Sequence, residues 1–207
     1  RAVLTQQADG GWQLAQTQIG YGEGLALVEG ELGASKTALA LKLDKMPLSL
    51  IDVAMPDLGV SGTISGVIDY QAAANEAPSG SAKVMVNQLT RSGLVLSSRP
   101  MDVALVAELR PDRMAARAVL DEDGRRLGRL QMRVSDMPAA GSLFERLQAG
   151  NLLGQLRYAG RADNLWRLAA IEVFDLTGPV SLALDATGTL ADPQVRGTVS
   201  SDNLRVQ

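Results

Sequence analysis

The acidic run Asp121-Glu122-Asp123, followed by Gly124, is the kind of cluster that could bind a cation. A calcium loop of the EF-hand type needs further oxygen ligands at fixed later positions. Those positions carry Arg125 and Leu127, so the run predicts a turn between two strands, for which Asp-Gly is a strong signal. The other Asp and Glu residues are scattered along the chain, and their spacing assigns no two of them to one cleft.

The side chains that most often carry out catalysis are missing, because the chain has no histidine and no cysteine. This excludes the commonest general base and metal ligand, thiol nucleophiles, the usual zinc sites and disulfides. Gly20–Gly24 lacks the G-x-G-x-x-G spacing of a phosphate-binding loop and predicts turns. We therefore expect no enzyme, no metal and no cofactor, and we interpret Trp12 and Trp166 as packing anchors.

The composition indicates a protein lined by aliphatic side chains. Of its 207 residues 46% are apolar but only 3% are aromatic, whereas a globular β-sandwich usually takes core volume from large aromatic rings. The net charge of -3 argues against binding to nucleic acid. No apolar run reaches the roughly 18 residues of a membrane-spanning helix. The chain begins at Arg1 and ends in a strand-like pattern, so we expect it to be a segment of a longer protein.

Alternation of apolar and polar residues dominates the chain and predicts antiparallel β-strands. The stretch 39–43 alternates leucine with Ala40 and Lys42, and the stretch 113–134 places its apolar residues at even positions. The second stretch flanks the Asp-Gly turn and predicts an amphipathic hairpin with one basic face, formed by Arg113, Arg117, Arg125, Arg126, Arg129 and Arg133. This basic face has two interpretations: a surface for lipid headgroups or an acidic partner, or a solvated outer face that limits aggregation.

Three short segments change from a period of two to a helical period, and they predict helices near 47–54, 142–149 and 163–169. In the second segment a serine and a glutamate have the spacing of a capping box, and three apolar residues are predicted to share one face. These residues are Ser142 with Glu145, and Leu143, Phe144 and Leu147.

Proline and glycine predict the main interruptions of the strands. Asn75–Ser81 contains Pro78 and Gly80 and predicts a long loop, whereas Arg99-Pro100 and Arg110-Pro111 predict strand breaks. No shift in composition divides the chain, so we expect a single unit over residues 1–207.

One motif occurs twice. Gly33–Pro47 and Gly124–Pro138 each run from a glycine to a Met-Pro pair, and a glycine-spaced strand pattern follows each of them, ending at Tyr70 and Tyr158. The order strand, helix, glycine-spaced strand predicts two equivalent units at about 33–70 and 124–158. Repeated supersecondary units usually extend a surface and do not enclose a single pocket.

The C-terminal stretch Gly188–Val206 reads GTLADPQVRGTVSSDNLRV and follows the apolar alternation of 182–184. It resembles the recurring unit of the TamB family, inner-membrane-anchored proteins of the bacterial translocation and assembly module that are related to AsmA-like proteins. The segments 43–70 and 149–188 resemble the same family's units of an apolar-proline helix followed by a glycine-rich strand. The resemblance covers most of the chain from about Gly30 and includes a further strand unit at 178–206.

This resemblance implies a long antiparallel sheet curled lengthwise into a U-shaped trough, or β-taco, with a hydrophobic interior and no catalytic residues. It implies a periplasmic location within a protein anchored in the inner membrane. The implied function is conduction of phospholipid between the two membranes, or assistance to outer-membrane protein assembly. The implied partners are phospholipid acyl chains and, for the intact protein, a TamA-type outer-membrane barrel protein; no nucleic acid is expected.

A set of apolar residues on the predicted strands forms the candidate lining of a lipid groove: Leu39, Leu41, Leu43, Met114, Ala116, Leu120, Leu130, Met132, Val134, Leu152, Leu156, Val180, Leu182 and Leu184. The alternative is an ordinary core, in which a second sheet closes over the same side chains. Periodicity supports both, because both need one apolar face. The alternative function is that of a structural or adhesive extracellular β-sandwich with a sealed core and no ligand.

Overall fold

The computed structural model of the protein describes residues 3–33, 35–51, 59–74, 76–92, 97–168 and 175–206. Of these residues, 69% are in strands and 10% in helices, which confirms the all-β prediction. The strands are β1 (Leu4–Gln6), β2 (Trp12–Tyr21), β3 (Gly24–Leu32), β4 (Lys36–Pro47), β5 (Val60–Ala73), β6 (Ser79–Arg91), β7 (Met101–Arg110), β8 (Arg113–Glu122), β9 (Arg125–Ser135), β10 (Asn151–Arg161), β11 (Leu176–Thr177), β12 (Pro179–Gly188), β13 (Pro193–Ser200) and β14 (Arg205–Val206). The helical elements are a 3-10 turn (Leu48–Leu50), α1 (Leu143–Ala149) and α2 (Ala162–Leu168).

Twelve strands form one antiparallel sheet in the order of the chain, with β1 and β13 at its edges, while β11 and β14 pair separately. Within this sheet each strand bonds to its neighbours in chain order, and β10 pairs directly with β12 because β11 lies outside the sheet. The turn between β8 and β9 is the predicted Asp-Gly hairpin, and Asp123 and Gly124 both have positive φ, 49° and 77°. Two successive residues with positive φ are what a type I′ hairpin turn requires.

The pairing register arranges side chains in rows that cross the sheet, because partners in an antiparallel ladder share a face. Four neighbouring rows are apolar and define the apolar face of the sheet. Row 1 contains Leu4, Leu14, Gly30, Leu39, Tyr70, Gly80, Leu109, Met114, Val134 and Leu152. Row 2 contains Thr17, Val28, Leu41, Ile68, Ala82, Ala107, Ala116, Met132, Gly154, Ala186 and Val195.

Rows 3 and 4 follow along the strands. Row 3 contains Ile19, Ala26, Leu43, Gly66, Val84, Leu105, Ala118, Leu130, Leu156, Leu184 and Gly197. Row 4 contains Met46, Ile64, Val86, Val103, Leu120, Gly128, Tyr158, Leu182 and Val199. None of the four rows carries a charged side chain, and the hydroxyl of Thr17 donates to the Ala15 carbonyl at 2.8 Å. At about 4.8 Å per strand, the face extends on the order of 50 Å across the sheet.

The opposite face, called the polar face below, carries the charged side chains of the same strands. Its rows include Glu29, Lys42, Asp69, Arg117 and Arg133, each one position away from an apolar-face residue. A few exposed apolar side chains also lie on this face, among them Val67, Met85, Val106 and Leu153. Charges on one face and aliphatic side chains on the other make the sheet strongly amphipathic.

The two helices pack on the apolar face at opposite ends of the strands. Helix α1 lies over row 1, where Leu143 and Leu147 contact the buried cluster of Val134, Met137 and Leu152. Helix α2 lies over row 4 and the positions just beyond it. Its cluster comprises Met101, Leu127, Tyr158, Ala162 and Val180, with Leu165 and Leu168 packed against it.

Two details of the sequence prediction are wrong. Residues Ser79–Ser81 do not belong to a loop, because they begin β6. Gly80 marks a close approach of strands: a Cβ there would lie 2.5 Å from the Asp69 carbonyl oxygen. Phe144 does not share the packed face of α1 and is 68% exposed, whereas Leu143 and Leu147, four residues apart, pack against the sheet.

The three predicted helical segments have different outcomes. The segment 142–149 forms α1 with the predicted capping box, and α2 matches 163–168 of the third segment, whose residue 169 lies outside the described residues. The first segment contains the 3-10 turn, and its residues 52–54 also lie outside the described residues. The strand breaks at Pro100 and Pro111 are confirmed.

The two units of the sequence repeat share several structural features. Each runs strand, helical turn, strand, as β4–β5 and β9–β10. In each, the methionine of the Met-Pro pair is buried, and the preceding residue has positive φ: 49° at Lys45 and 54° at Asp136. Because β4 and β9 run in opposite directions, the 3-10 turn follows the row 4 end of β4 and α1 follows the row 1 end of β9. The two units thus project their helical segments toward opposite ends of the strands.

Candidate apolar binding surface

Every residue nominated from the sequence as groove lining lies on the apolar face. All are in rows 1 to 4 except Val180, which follows row 4 on β12. The sequence reasoning missed the contribution of the central strands, including Ile68, Val84, Val103 and Leu105. The same alternation of apolar residues occurs there, but Gly66 and Gly80 interrupt it. Apolar residues on the polar face also make the alternation harder to recognise.

Burial is uneven across the apolar face. Val134 is fully buried and Leu152 is 6% exposed beneath α1. Between the helices, in contrast, Leu130 of row 3 is 40% exposed. Farther across the sheet, Leu39 on β4 is 37% exposed. Among the described residues no second large sheet covers these rows, so part of the apolar face is open to its surroundings.

Polar contacts attach α1 to the row 1 end. The N–H and the hydroxyl of Ser142 both donate to Glu145 Oε2, at 2.8 and 2.9 Å. These two hydrogen bonds hold the pKa of the Glu145 carboxyl below its ordinary value. Arg146 is buried, and its guanidinium donates to the carbonyls of Pro138, at 2.6 Å, and Pro111. A single side chain therefore ties α1 to the β7–β8 turn and to the segment after β9.

At the other end, ion pairs and hydrogen bonds hold α2 in place. Asp163 pairs with Arg161 at 2.9 Å, and Arg167 pairs with Asp175 at 2.7 Å. The amide of the fully buried Asn164 donates to Glu122 at 2.8 Å. The hydrogen bond and the charge of Asp175 raise the pKa of the half-buried Arg167 guanidinium above its ordinary value. These contacts connect α2 to the ends of β8 and β10.

The described cavities are shallow depressions lined mainly by residues of the polar face. One of them, of about 750 Å³, crosses β2–β7 and includes Glu29, Glu31, Asp69 and Glu108. Its acidic residues are too far apart to bind a metal: no group of three or more candidate ligands is close enough anywhere in the described part of the chain.

Most of the basic face predicted on β8 and β9 exists as part of the polar face. Arg125 is the exception, because it pairs with Glu122, which lies on the apolar side and accepts a hydrogen bond from Asn164 of α2. Arg126 pairs with Asp121 at 2.9 Å, and Arg113 lies 3.9 Å from Asp112. Arg117, Arg129 and Arg133 are exposed and have no ion pair within the described residues. This arrangement fits a solvated outer face, and the binding of headgroups or an acidic partner there stays a prediction.

None of the helices in the described ranges is long and apolar enough to cross a membrane. No protein-family model, no curated protein and no solved structure matches the chain.

Proposed function

We propose that this chain is a segment of a periplasm-spanning envelope-biogenesis protein, and that its apolar face holds and conducts phospholipid acyl chains. In this proposal the sheet curls lengthwise into a U-shaped trough with the apolar face inside. The observation that carries the proposal is the unbroken sequence of apolar rows across neighbouring strands, on which Leu39 and Leu130 are exposed. The resemblance to the TamB family supports the periplasmic location, the inner-membrane anchor and a TamA-type outer-membrane partner, with a role in outer-membrane protein assembly.

A hydrocarbon chain suits this surface for two physical reasons. Each buried CH2 group contributes roughly 0.8 kcal/mol, so many weak contacts suffice. Rows without charged anchors also present nearly equal sites, between which a chain can slide. A peptide suits the surface poorly, because the face offers side chains alone and would leave the backbone N–H and C=O groups of the peptide unpaired.

The alternative, a sealed adhesive sandwich, needs two sheets packed face to face. The described residues form one large sheet and one two-stranded ribbon, and Leu130 on the apolar face remains 40% exposed. Acyl-chain binding is therefore the better supported of the two functions.

The test compares Met132→Arg, on the half-buried part of row 2, with Gln131→Arg, its neighbour on the polar face. An open trough lets the new guanidinium of Met132→Arg reach water, so we expect a folded protein that no longer supports transport. Gln131→Arg should retain both properties. The melting temperature is measured on the purified chain, and outer-membrane integrity in cells carrying the intact protein. Gross unfolding of Met132→Arg would instead support a sealed core.

A further inference from the structure

We infer that the outer edge of β13 is an interface at which two copies of this chain pair, so that their sheets join into one antiparallel sheet. This interface uses the edge of the sheet and is independent of acyl-chain binding on the apolar face. β13 has eight residues, all of them exposed, whereas β1 at the opposite edge has three. Among the described residues no strand pairs with the outer side of β13.

The hydrogen bonds of the β12–β13 hairpin show which backbone groups of this edge are free. The Thr189 N–H donates to the Asp192 carbonyl at 3.4 Å, so this pair is hydrogen-bonded across the turn. Bonded and non-bonded pairs alternate along an antiparallel ladder, and the register therefore assigns the even-numbered residues of β13 to bonds with β12. The N–H and C=O groups of the odd-numbered residues point outward: Val195, Gly197 and Val199, together with the carbonyl of Pro193.

The side chains of β13 also favour contact with another strand. Val195 and Val199 lie on the apolar face and are 58% and 65% exposed. Arg196 is the one charged residue of the strand. Free backbone groups beside exposed β-branched side chains form a template to which a further strand can add.

Symmetry limits how two β13 strands can pair. Opposed residues must share a face of the joined sheet, so the two-fold axis passes through a residue and not between two residues. Two such registers overlap seven residues of each strand, 193–199 or 194–200. The first register opposes Arg196 to Arg196 of the second copy. It also places Pro193, which has no N–H, opposite the outward-pointing groups of Val199.

The second register is centred on Gly197 and has neither defect. Arg196 lies opposite Thr198 of the second copy, and each valine lies opposite a valine, Val195 against Val199. The outward N–H and C=O groups of all three odd residues then find partners, and the apolar face continues from one copy into the next. The edge of a second copy is therefore complementary in hydrogen bonding, charge and apolar contact. Pairing of two equivalent edges also closes the assembly as a two-fold dimer.

The first test removes an outward-pointing donor. Val195→Pro deletes an N–H that makes no bond to β12, and proline is tolerated at such positions of edge strands. Val195→Thr keeps the N–H and is the matched control. Sedimentation velocity of the purified chain over a range of concentrations should show a monomer–dimer equilibrium for the wild type and for Val195→Thr. In Val195→Pro the dimer dissociation constant should rise about tenfold or more, because symmetry removes two hydrogen bonds.

Hydrogen exchange provides the folding control for this variant, since β12 should keep its protection in the Val195→Pro monomer. A wild type that is monomeric at every concentration overturns the inference and leaves the edge to a strand of another kind. A dissociation constant that is unchanged in folded Val195→Pro places the interface elsewhere. Assemblies larger than a dimer would show head-to-tail pairing of β13 with β1, which also contradicts the inference.

The absence of native cysteine permits a separate test of the register that does not depend on Val195→Pro. In the proposed dimer, Arg196 and Thr198 of the second copy form a non-hydrogen-bonded pair with Cα atoms about 4.5 Å apart, within the range of a disulfide. A mixture of Arg196→Cys and Thr198→Cys chains should cross-link under mild oxidation. A mixture of Arg196→Cys and Ser200→Cys, the matched control, should cross-link far less. Preference for Ser200→Cys overturns the register, and absence of any cross-link overturns the interface.

Discussion

Tyr158 is a side chain of the apolar face whose polar end is tied into the protein. Its ring lies in the cluster beneath α2, and its hydroxyl donates to the Arg161 carbonyl at 2.8 Å. Burial, together with the negative charges of Glu122 and Asp163, raises the pKa of Tyr158 to about 12. The folded protein therefore favours the neutral phenol more strongly than the unfolded chain does.

This pKa predicts a loss of stability in alkali. The folded pKa lies above the ordinary value of 10, so the contribution of Tyr158 is complete below pH 10 and is lost as the pH rises toward 12. Ultraviolet absorbance titration should show one of the three tyrosines ionising near pH 12. Tyr158→Phe should remove that titration step and lower the free energy of unfolding by about 1 kcal/mol at neutral pH. If the late step survives in Tyr158→Phe, the assignment is wrong.

Helix α1 shows how a short element can be held at the edge of an open surface. Its seven residues are too few to be stable alone. The capping box, the Leu143 and Leu147 contacts and the buried Arg146 together compensate for its length.

The cap makes a prediction for this element. Ser142→Ala should destabilise α1 by about 1 kcal/mol, visible as faster hydrogen exchange at its amides. The matched control is Ser181→Ala, an exposed serine on the polar face of β12. Because folding lowers the pKa of Glu145, the cap contributes its full stability when the pH is above 4.5, the ordinary pKa of the group. That stability is lost as the pH falls through the pKa of the folded state. A difference between Ser142→Ala and wild type that persists unchanged in strong acid would argue against the role of Glu145.

Much of this element-level structure could be predicted, because successive side chains on a strand point to opposite faces. The odd arginines and even aliphatic residues of 113–134 predict the β8–β9 hairpin, and Ser142 with Glu145 predicts the start of α1. The start of β6 could not be predicted, since Gly80 has the same appearance in a loop as in a strand that is closely approached by another backbone. The exposure of Phe144 depends on where α1 meets the sheet, which periodicity does not encode.

At the scale of the whole molecule, the alternation of apolar and polar residues is compatible with two architectures. A sealed sandwich and an open trough both need one apolar face, so Leu130 and Val134 are equivalent in the sequence. Their difference, 40% against 0% exposure, arises from α1, which packs on one end of β9 and leaves the middle of the strand open. The open architecture depends on what packs against the sheet, and strand patterning alone contains no information about that.

The sequential order of the strands also predicts how the molecule unfolds. Each strand of the large sheet bonds to its neighbours in that order, so stability should be nearly a sum over neighbouring pairs, as in repeat proteins. Val134→Arg places a charge in a fully buried position between Met114 and Leu152. It should lower the free energy of local unfolding by more than about 4 kcal/mol.

We expect Val134→Arg to abolish hydrogen-exchange protection in β8–β10 and α1, while β3–β5 keep theirs, because no pairing connects the two regions except through β6 and β7. Leu130→Arg is the matched control: it lies on the same strand and face, but its exposure lets the guanidinium reach water, so protection should change little. Simultaneous loss of protection in all strands of Val134→Arg would show a single cooperative core. Such cooperativity would contradict a sheet whose middle rows are open, because an open face gives distant strands no shared packing through which to stabilise one another.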